Sequence, residues 1–173
     1  EKWATLIRHF GPKSSAELWR LVLQREAFRK TWHTWWDSEP QQFDFILCPG
    51  NATPALPHRA MHNAVSSCGY TFLWNLLDYS AGIIPVGHVD PKRDALAVGG
   101  KNGYKSVLRE LGCYNSIARG AWMYYDAEKM AGLPTAVQVV GRRWQEEKVL
   151  GYMRAVEDAL ERAGEKYSLL EVD

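Results

Sequence analysis

Two histidines, His58 and His62, stand four residues apart and are the first candidates for chemistry, because imidazole nitrogens bind metals and transfer protons near neutral pH. This spacing places both side chains on one face only if the segment is helical. Pro54 and Pro57 argue against a helix, and no glutamate completes the His-Glu-x-x-His pattern of zinc hydrolases. We therefore expect a chance pair and no metal site.

Three other stretches share features with catalytic or phosphate-binding motifs but depart from them. Ser80 is followed by Ala81-Gly82, as in a nucleophile elbow, but the position two before it holds Asp78 where the elbow needs glycine. The pair Ser66-Ser67 is explained more simply as a helix cap, and Gly99-Gly100-Lys101 lacks the spacing of a phosphate-binding P-loop. The residues alone therefore indicate no self-contained active site.

The composition is that of a soluble globular chain of about one domain. Of its 173 residues, 46% are hydrophobic and 24% are charged, and a net charge of +1 gives no reason to expect a nucleic-acid partner. Cys48, Cys68 and Cys113 show no paired spacing, so we expect neither a disulfide framework nor a zinc site. Eight Trp and eight Tyr suit a core, a ligand channel or an interface.

The longest predicted helix follows a capping box at residues 14–17, in which the Ser14 hydroxyl and the Glu17 carboxylate each accept an amide hydrogen. Glu39-Pro40 should end this helix. Its large apolar residues recur near the helical period of 3.6 residues, so we expect them in the core rather than in a membrane-surface belt. They are Leu18, Leu21, Val22, Phe28, Trp32, Trp35 and Trp36.

Shorter apolar segments, separated by Gly and Pro, predict the remaining elements. Pro85 cannot donate a ladder hydrogen bond, so the strand that contains it should end there or lie at a sheet edge. Irregular chain is expected at residues 51–63 and through most of residues 90–131. The predicted segments are strands at 43–48, 81–87 and 167–172, and helices at 1–12, 66–78, 104–111 and 145–163.

The other elements are organised around residues 132–150. Gly132 and Pro134 mark a turn, and residues 135–140 are β-branched and apolar apart from Gln138, as in a strand covered on both faces. A strand that leads directly into a helix is half of a βαβ unit, which predicts an α/β fold with a parallel or mixed sheet covered by helices. The helix should end at Gly164. Its predicted inward residues are Val149, Leu150, Met153, Val156 and Leu160.

Several segments, in this order, resemble the C-terminal part of amidase-signature hydrolases, with fungal acetamidase-like and fatty-acid amide hydrolase-like members closest. The resemblance covers most of residues 14–163, while residues 90–118 are not clearly matched. It implies a partial amidase-signature fold with a mixed sheet covered by helices. The segments are Ser-Ala-Glu-Leu-Trp at 15–19, Asp-Phe-Ile-Leu-Cys-Pro at 44–49, Gly-Tyr-Thr-Phe-Leu-Trp-Asn-Leu-Leu-Asp-Tyr at 69–79, Ala-Gly-Ile-Ile-Pro-Val at 81–86, Trp122 with Tyr124-Tyr125-Asp126, Gly-Leu-Pro-Thr-Ala-Val-Gln-Val-Val-Gly at 132–141 and Gln-Glu-Glu-Lys-Val-Leu at 145–150.

Members of that family hydrolyse amides with a nucleophilic serine, a bridging serine on a cis peptide bond and a lysine base, while backbone amides of a Gly/Ser-rich segment hold the oxyanion. The resemblance places these groups in the N-terminal half, and this sequence contains no such Gly/Ser-rich segment. We therefore expect no catalytic residue, cofactor or metal here, and an inactive isolated segment. Cys68 and Phe72 stand where fatty-acid-hydrolysing relatives line the acyl pocket, although an ordinary core position remains the other interpretation of both.

The chain begins at Glu1 rather than at Met, so we expect residues 1–173 to be one incomplete domain, the C-terminal part of an amidase domain in a longer protein. Residues 1–13 would be a remnant of a cap helix, and Trp3 and Phe10 would suit peripheral contact with a membrane. We expect a cytoplasmic protein that binds its amide substrate only in the full-length context, and a homodimer. The alternative is a truncated, non-catalytic protein that binds a partner or associates with itself.

Overall fold

The computed structural model describes residues 10–38, 40, 42–64, 68–96, 103–165 and 167–168. Within these residues the chain forms helices around a small sheet. The elements, in chain order, are α1 (Ser15–Asp37), β1 (Ile46–Pro49), α2 (Met61–Ala64), α3 (Gly69–Leu77), β2 (Ala81–His88), α4 (Gly103–Glu110), α5 (Ser116–Trp122), β3 (Pro134–Val140) and α6 (Glu146–Arg162).

The three described strands form one sheet in the order β1-β3-β2, with β3 in the centre. Both pairings are antiparallel, and Gln138 lies opposite Cys48 on one side and Ile83 on the other. The predicted α/β fold with a helix-covered sheet is confirmed, but the described strands pair antiparallel and not in the parallel or mixed manner expected. β1 and β2 are parallel to each other but do not pair directly. β3 lies between them and runs in the opposite direction, so both of its pairings are antiparallel.

The side chains of β3 alternate between two hydrophobic clusters, one on each face of the sheet. Val140 packs with Trp36 of α1 and Trp74 of α3, whereas Val139 packs with Val149 of α6. α1 and α3 therefore cover one face of the sheet and α6 covers the other. The prediction that this strand is covered on both faces is confirmed.

α1 begins with the predicted capping box. The Glu17 backbone N–H donates to Ser14 Oγ at 3.3 Å, and the Ser14 N–H donates to the Glu17 carboxylate at 2.7 Å. The predicted core face is correct near the C-terminal end, where Trp36 is fully buried and Trp32 partly buried. Val22 is also partly buried, but the prediction is wrong at four positions along the helix, because the packing of α1 on α3 covers only part of this face. The exposed members of that face are Leu18, Leu21, Phe28 and Trp35.

α6 ends as predicted. Gly164 adopts the left-handed conformation with φ 79°, which lets the chain leave the helix without steric strain. The predicted inward residues of this helix are buried or partly buried with one exception. Leu150 is 64% exposed, so the prediction that it faces the core is wrong. Only one side of α6 meets the sheet, and Leu150 lies beyond that side.

Two short helices, α2 and α5, form in segments where the sequence predicts irregular chain. They pack so closely that a Cβ added at Gly120 would lie 2.2 Å from the backbone oxygen of Asn63. Pro85 lies at a register shift in β2, an outer strand of the described sheet, as predicted. The helix expected at residues 1–12 and the strand expected at residues 167–172 lie mostly outside the described residues.

Candidate functional site

The two residues predicted to line an acyl pocket lie at the start of α3. Cys68 directly precedes the helix and is half-buried. Phe72, one turn later, is 61% exposed. The opposite side of α3 places Trp74 and Leu77 in the core. Phe72 therefore projects away from the core of this chain.

Two hydrogen bonds fix the ends of α3. Gln138 Nε2 donates to the carbonyl oxygen of Tyr70 at 3.1 Å, in the first turn. Arg29 Nε donates to the carbonyl oxygen of Leu76 at 3.0 Å, in the last turn. Both donors belong to buried residues. α3 is therefore held against β3 at its start and against α1 at its end.

Asp78 follows α3 in the left-handed conformation with φ 60°, which is uncommon for a residue other than Gly. Its carboxylate lies 2.7 Å from Arg143 Nε and 3.6 Å from an Arg29 nitrogen. The two arginines come from α1 and from the connection between β3 and α6. The turn between α3 and β2 is therefore tied to two other elements.

A cavity of about 1140 Å³ lies between the segment after β1, the loop after β2 and the turn before β3. Tyr104, Ala127 and Met130 are the buried residues of its wall. A mostly apolar wall with a few polar groups is typical of small-molecule sites. Neither Cys68 nor Phe72 belongs to this wall. The other lining residues are Ala55, Leu56, Pro57, His58, Pro91, Ala95, Leu96, Met123, Tyr124, Tyr125, Asp126, Glu128, Lys129 and Leu133.

Hydrogen bonds anchor two of the tyrosines in the cavity wall. Asn63 Nδ2 donates to the Tyr124 hydroxyl at 2.5 Å, and the Tyr125 hydroxyl donates to the backbone oxygen of Asp94 at 2.6 Å. Burial raises the pKa of the Tyr125 phenol, and the neighbouring Asp94 charge raises it further. Because their hydroxyls are fixed, both rings form a preformed part of the wall.

The charged residues of the cavity wall largely pair with one another. Lys129 Nζ donates to the Asp126 carboxylate at 2.5 Å. This hydrogen bond, together with that from the Lys129 backbone N–H, lowers the pKa of the Asp126 carboxyl. Glu128 adds one more carboxylate to the wall. The wall therefore offers both hydrogen-bond donors and acceptors beside its apolar surface, without a strong excess of charge.

The other sequence candidates are spread over the chain. His58 contributes to the cavity wall and His62 lies in α2, and both are exposed. Ser80 is buried, with an Oγ that has no hydrogen-bond partner among the described residues. Ser66-Ser67 and Gly99-Gly100-Lys101 lie outside the described part of the chain. The described residues contain no cluster of three potential metal ligands, and no described helix is long and apolar enough to cross a bilayer.

The sequence did not indicate the cavity, although it contained one clue. The aromatic run Tyr124-Tyr125 supplies two of the rings in the wall. The remaining wall comes from Tyr104, Met123 and the segments 55–58, 91–96 and 126–133, which show no pattern that predicts a shared site. Tertiary hydrogen bonds bring these segments together, and no local signal reports them.

A family model described as Amidase matches residues 3–150 of the chain. Amidase 1 of Gibberella moniliformis is 34% identical over 148 residues, which cover 83% of this chain and 26% of that protein. Fatty-acid amide hydrolase 1 of Sus scrofa is 32% identical over 154 residues, which cover 89% of this chain and 24% of that protein. The acetamidase of Aspergillus oryzae is 29% identical over 141 residues. The chain spans about a quarter of the length of these relatives.

A solved structure of a fatty acid amide hydrolase matches the fold with a TM-score of 0.66. The match covers 86% of this chain and 24% of that structure, at 24% sequence identity. The partial amidase-signature fold predicted from the resemblance is thereby confirmed at the level of architecture.

Proposed function

Because the chain belongs to the amidase family, we propose that it is the C-terminal portion of an amide hydrolase, which splits a carboxylic amide with water into an acid and an amine or ammonia. The family match over residues 3–150 is the observation that carries this proposal. The shared fold supports it. In this proposal, residues 1–173 form one incomplete domain, and the serines and lysine that perform the reaction lie outside them.

In this role, the chain supplies part of the sheet, its covering helices and part of the substrate pocket. Cys68 and Phe72 would contribute one stretch of pocket wall, because Phe72 projects from α3 without entering the core of this chain. The tyrosine-lined cavity would contribute another stretch. Its apolar surface suits an acyl group, and the pair of Asp126 and Lys129 offers polar partners for an amide.

Methionine methyl groups provide a direct test of the cavity as a binding site. Met123 and Met130 line it, whereas Met153 lies under Gly82 and against the cluster of Ile84. With ¹³C-methyl methionine, titration with hexanamide or phenylacetamide should shift Met123 and Met130 and leave Met153 unchanged. Equal shifts of all methionine methyl signals, or no shift of any of them at millimolar ligand, would show that the cavity is not the binding site and remove it from the proposal.

The isolated chain should be inactive. It should release no ammonia from simple amides and take no label from a serine-reactive fluorophosphonate, because none of its residues takes the role of the serines or lysine. Turnover together with stoichiometric labelling by this chain alone would refute the claim that the nucleophile lies elsewhere.

A non-catalytic module that binds a partner or associates with itself is the second candidate function. The exposed apolar residues at the start of α1 favour it: Leu18, Trp19 and Leu23 are 56%, 66% and 69% exposed. Exposed apolar patches of this kind mark interaction surfaces. Sedimentation velocity over a hundredfold range of concentration, combined with an amide hydrolysis assay of a longer form, distinguishes the two candidates. A stable homodimer without turnover in any longer form would favour the module.

We further propose a cytoplasmic location with peripheral membrane contact through Trp3 and Phe10. Phe10 is 83% exposed, and Trp3 lies outside the described residues. Co-sedimentation with phosphatidylcholine vesicles should be lost in the Trp3→Ala/Phe10→Ala double variant. Absence of sedimentation by the unmodified chain would exclude this contact.

A further inference from the structure

Gln138 is a buried polar residue in the middle of an apolar strand. It is 4% exposed, at the centre of β3. A buried amide is costly unless its hydrogen bonds are satisfied. Only four polar or charged residues among those described are buried: Arg29, Thr53, Ser80 and Gln138. Two of these four, Gln138 and Arg29, donate to backbone oxygens of α3.

The contacts of Gln138 join three elements. Its Nε2 donates to the Tyr70 oxygen at 3.1 Å and to Cys48 Sγ at 3.3 Å. Cys48 is its direct partner across the β1–β3 pairing. A single side chain therefore links β3 and β1 to the first turn of α3.

The contact on α3 lies midway between the two predicted pocket residues. Tyr70 follows Cys68 by two residues and precedes Phe72 by two. Because the bond fixes a carbonyl in the helix backbone, it restricts rotation of the first turn about the helix axis. The directions of the Cys68 and Phe72 side chains depend on that rotation.

We propose that Gln138 is a positioning residue for the substrate pocket, holding the first turn of α3 so that Cys68 and Phe72 face the bound acyl group. The assignment to a pocket rests on the proposed amide hydrolase function. We call the hydrogen bonds from Gln138 to Tyr70 and Cys48 the clamp. The clamp is a property of this chain and is measured without hydrolysis.

The first test follows alkylation of the full 173-residue chain with iodoacetamide, resolved by peptide mass mapping. Gln138→Leu should raise the rate at Cys68 about two- to tenfold, the factor that one lost hydrogen bond represents. Cys113 is exposed and serves as the reference thiol. Val139→Ala is the matched control, since it weakens the adjacent core position without touching the bond to Tyr70. An equal rise in Val139→Ala, at the same loss of stability, would overturn the proposal.

The second test uses Gln138→Glu, whose carboxyl donates a hydrogen only when protonated. Tyr70-Thr71 is the sole Tyr-Thr pair in the sequence, so ¹³C-carbonyl Tyr combined with ¹⁵N Thr isolates the Tyr70 carbonyl signal. This signal should resemble that of the unmodified chain at acid pH and move away from it once the pH exceeds the pKa of the new carboxyl, which burial raises. In Gln138→Leu it should be displaced at both pH values.

A Tyr70 signal that is displaced in Gln138→Glu even at acid pH, where the carboxyl is protonated and can donate, would overturn the proposal. This variant also carries the test if Gln138→Leu does not fold. A failure of the clamp leaves the amide hydrolase assignment intact. Conversely, absence of amide hydrolysis by a longer form would leave the measured clamp intact and remove only its link to substrate.

Discussion

Arg29 Nε donates to the carbonyl oxygen of Leu76 at 3.0 Å, and this contact joins the middle of α1 to the last turn of α3. The last carbonyls of a helix have no partner within it, and a positive charge near them is favourable. Arg29 supplies both the hydrogen bond and the charge. Its guanidinium also pairs with Glu26 at 2.9 Å.

Arg29→Met should therefore lower the free energy of unfolding by about 2 kcal/mol, because the Leu76 oxygen loses a charged donor while the apolar stem is kept. Urea denaturation measures this change. Arg25→Met is the matched control, since Arg25 pairs with the same Glu26 but is exposed. It should change stability by less than about 0.5 kcal/mol. Equal effects of the two variants would contradict the assigned role of Arg29.

Glycine substitutions test the close packing of α2 on α5. Gly120→Ala should destabilise by about 2 kcal/mol, because its Cβ would meet the backbone oxygen of Asn63, which cannot move without shifting α2. Gly151→Ala meets no atom within 4 Å in α6 and should stabilise by about 0.5–1 kcal/mol. Thermal denaturation of both variants checks the pair. A stabilising Gly120→Ala would show that α2 and α5 are not packed as described.

Acid should weaken the loop after β2. The backbone N–H groups of Arg93 and Lys92 donate to the Asp90 carboxylate and lower its pKa. The Arg93 side chain and the Asp90 N–H donate to the Asp94 carboxylate and lower its pKa as well. A carboxyl with a lowered folded-state pKa stabilises the fold above its unfolded pKa of about 3.9. That contribution is lost as the pH falls through the folded pKa.

The urea midpoint should therefore fall between pH 5 and the acid limit of folding, and it should fall less steeply in Asp90→Asn. Lys148→Gln, a neutralising change in a distant helix, serves as the control and should keep the steep fall. If Asp90→Asn and the unmodified chain lose stability in parallel, the Asp90 contacts contribute nothing to the folded state.

The indole of Trp36 should stabilise the fold through the hydrogen bond of its N–H as well as through the volume that it fills. Trp36 is fully buried, and its Nε1 donates to the Phe43 oxygen at 2.7 Å. Trp36→Phe should cost about 2–3 kcal/mol, combining the lost hydrogen bond with a residual cavity. Trp19→Phe, at an exposed position of the same helix, should be close to neutral. Urea denaturation of the two variants measures the difference, and equal costs would contradict the burial of Trp36.

Local signals predict the elements that form by themselves. The capping box at Ser14, the apolar residues 135–140 and the terminator Gly164 are each read correctly, because short-range geometry decides them. The short helices α2 and α5 were missed. They pack closely against each other, and α5 also begins with a local signal, since the Asn115 side chain accepts from the N–H groups of Ile117 and Ala118. The exposure of Leu18 could not be predicted, because apolar periodicity states which face is to be covered and not what covers it.

The candidate site likewise has a part that the sequence indicated and a part that depends on tertiary contacts. Cys68 and Phe72 were predicted from the family resemblance, which indicates individual pocket residues but not the segments that surround them. The cavity depends on the Tyr125 hydroxyl reaching the Asp94 oxygen and on the Val89 N–H donating to the Leu133 oxygen at 2.9 Å. These contacts join segments more than thirty residues apart in sequence, so no local pattern could indicate them. For the hydrogen bonds of Gln138, the only signal in the sequence was a polar residue within an apolar strand.

In the proposed function, this chain completes an amidase fold whose nucleophile lies in another segment. A chimera in which this chain replaces the matching segment of Amidase 1 of Gibberella moniliformis tests it most directly. Fluorophosphonate labelling, mapped by mass spectrometry, should place the label on a serine of the Amidase 1 portion, with amide hydrolysis by the chimera and none by the isolated chain. Labelling of a serine within residues 1–173, with turnover by the isolated chain, would contradict the account.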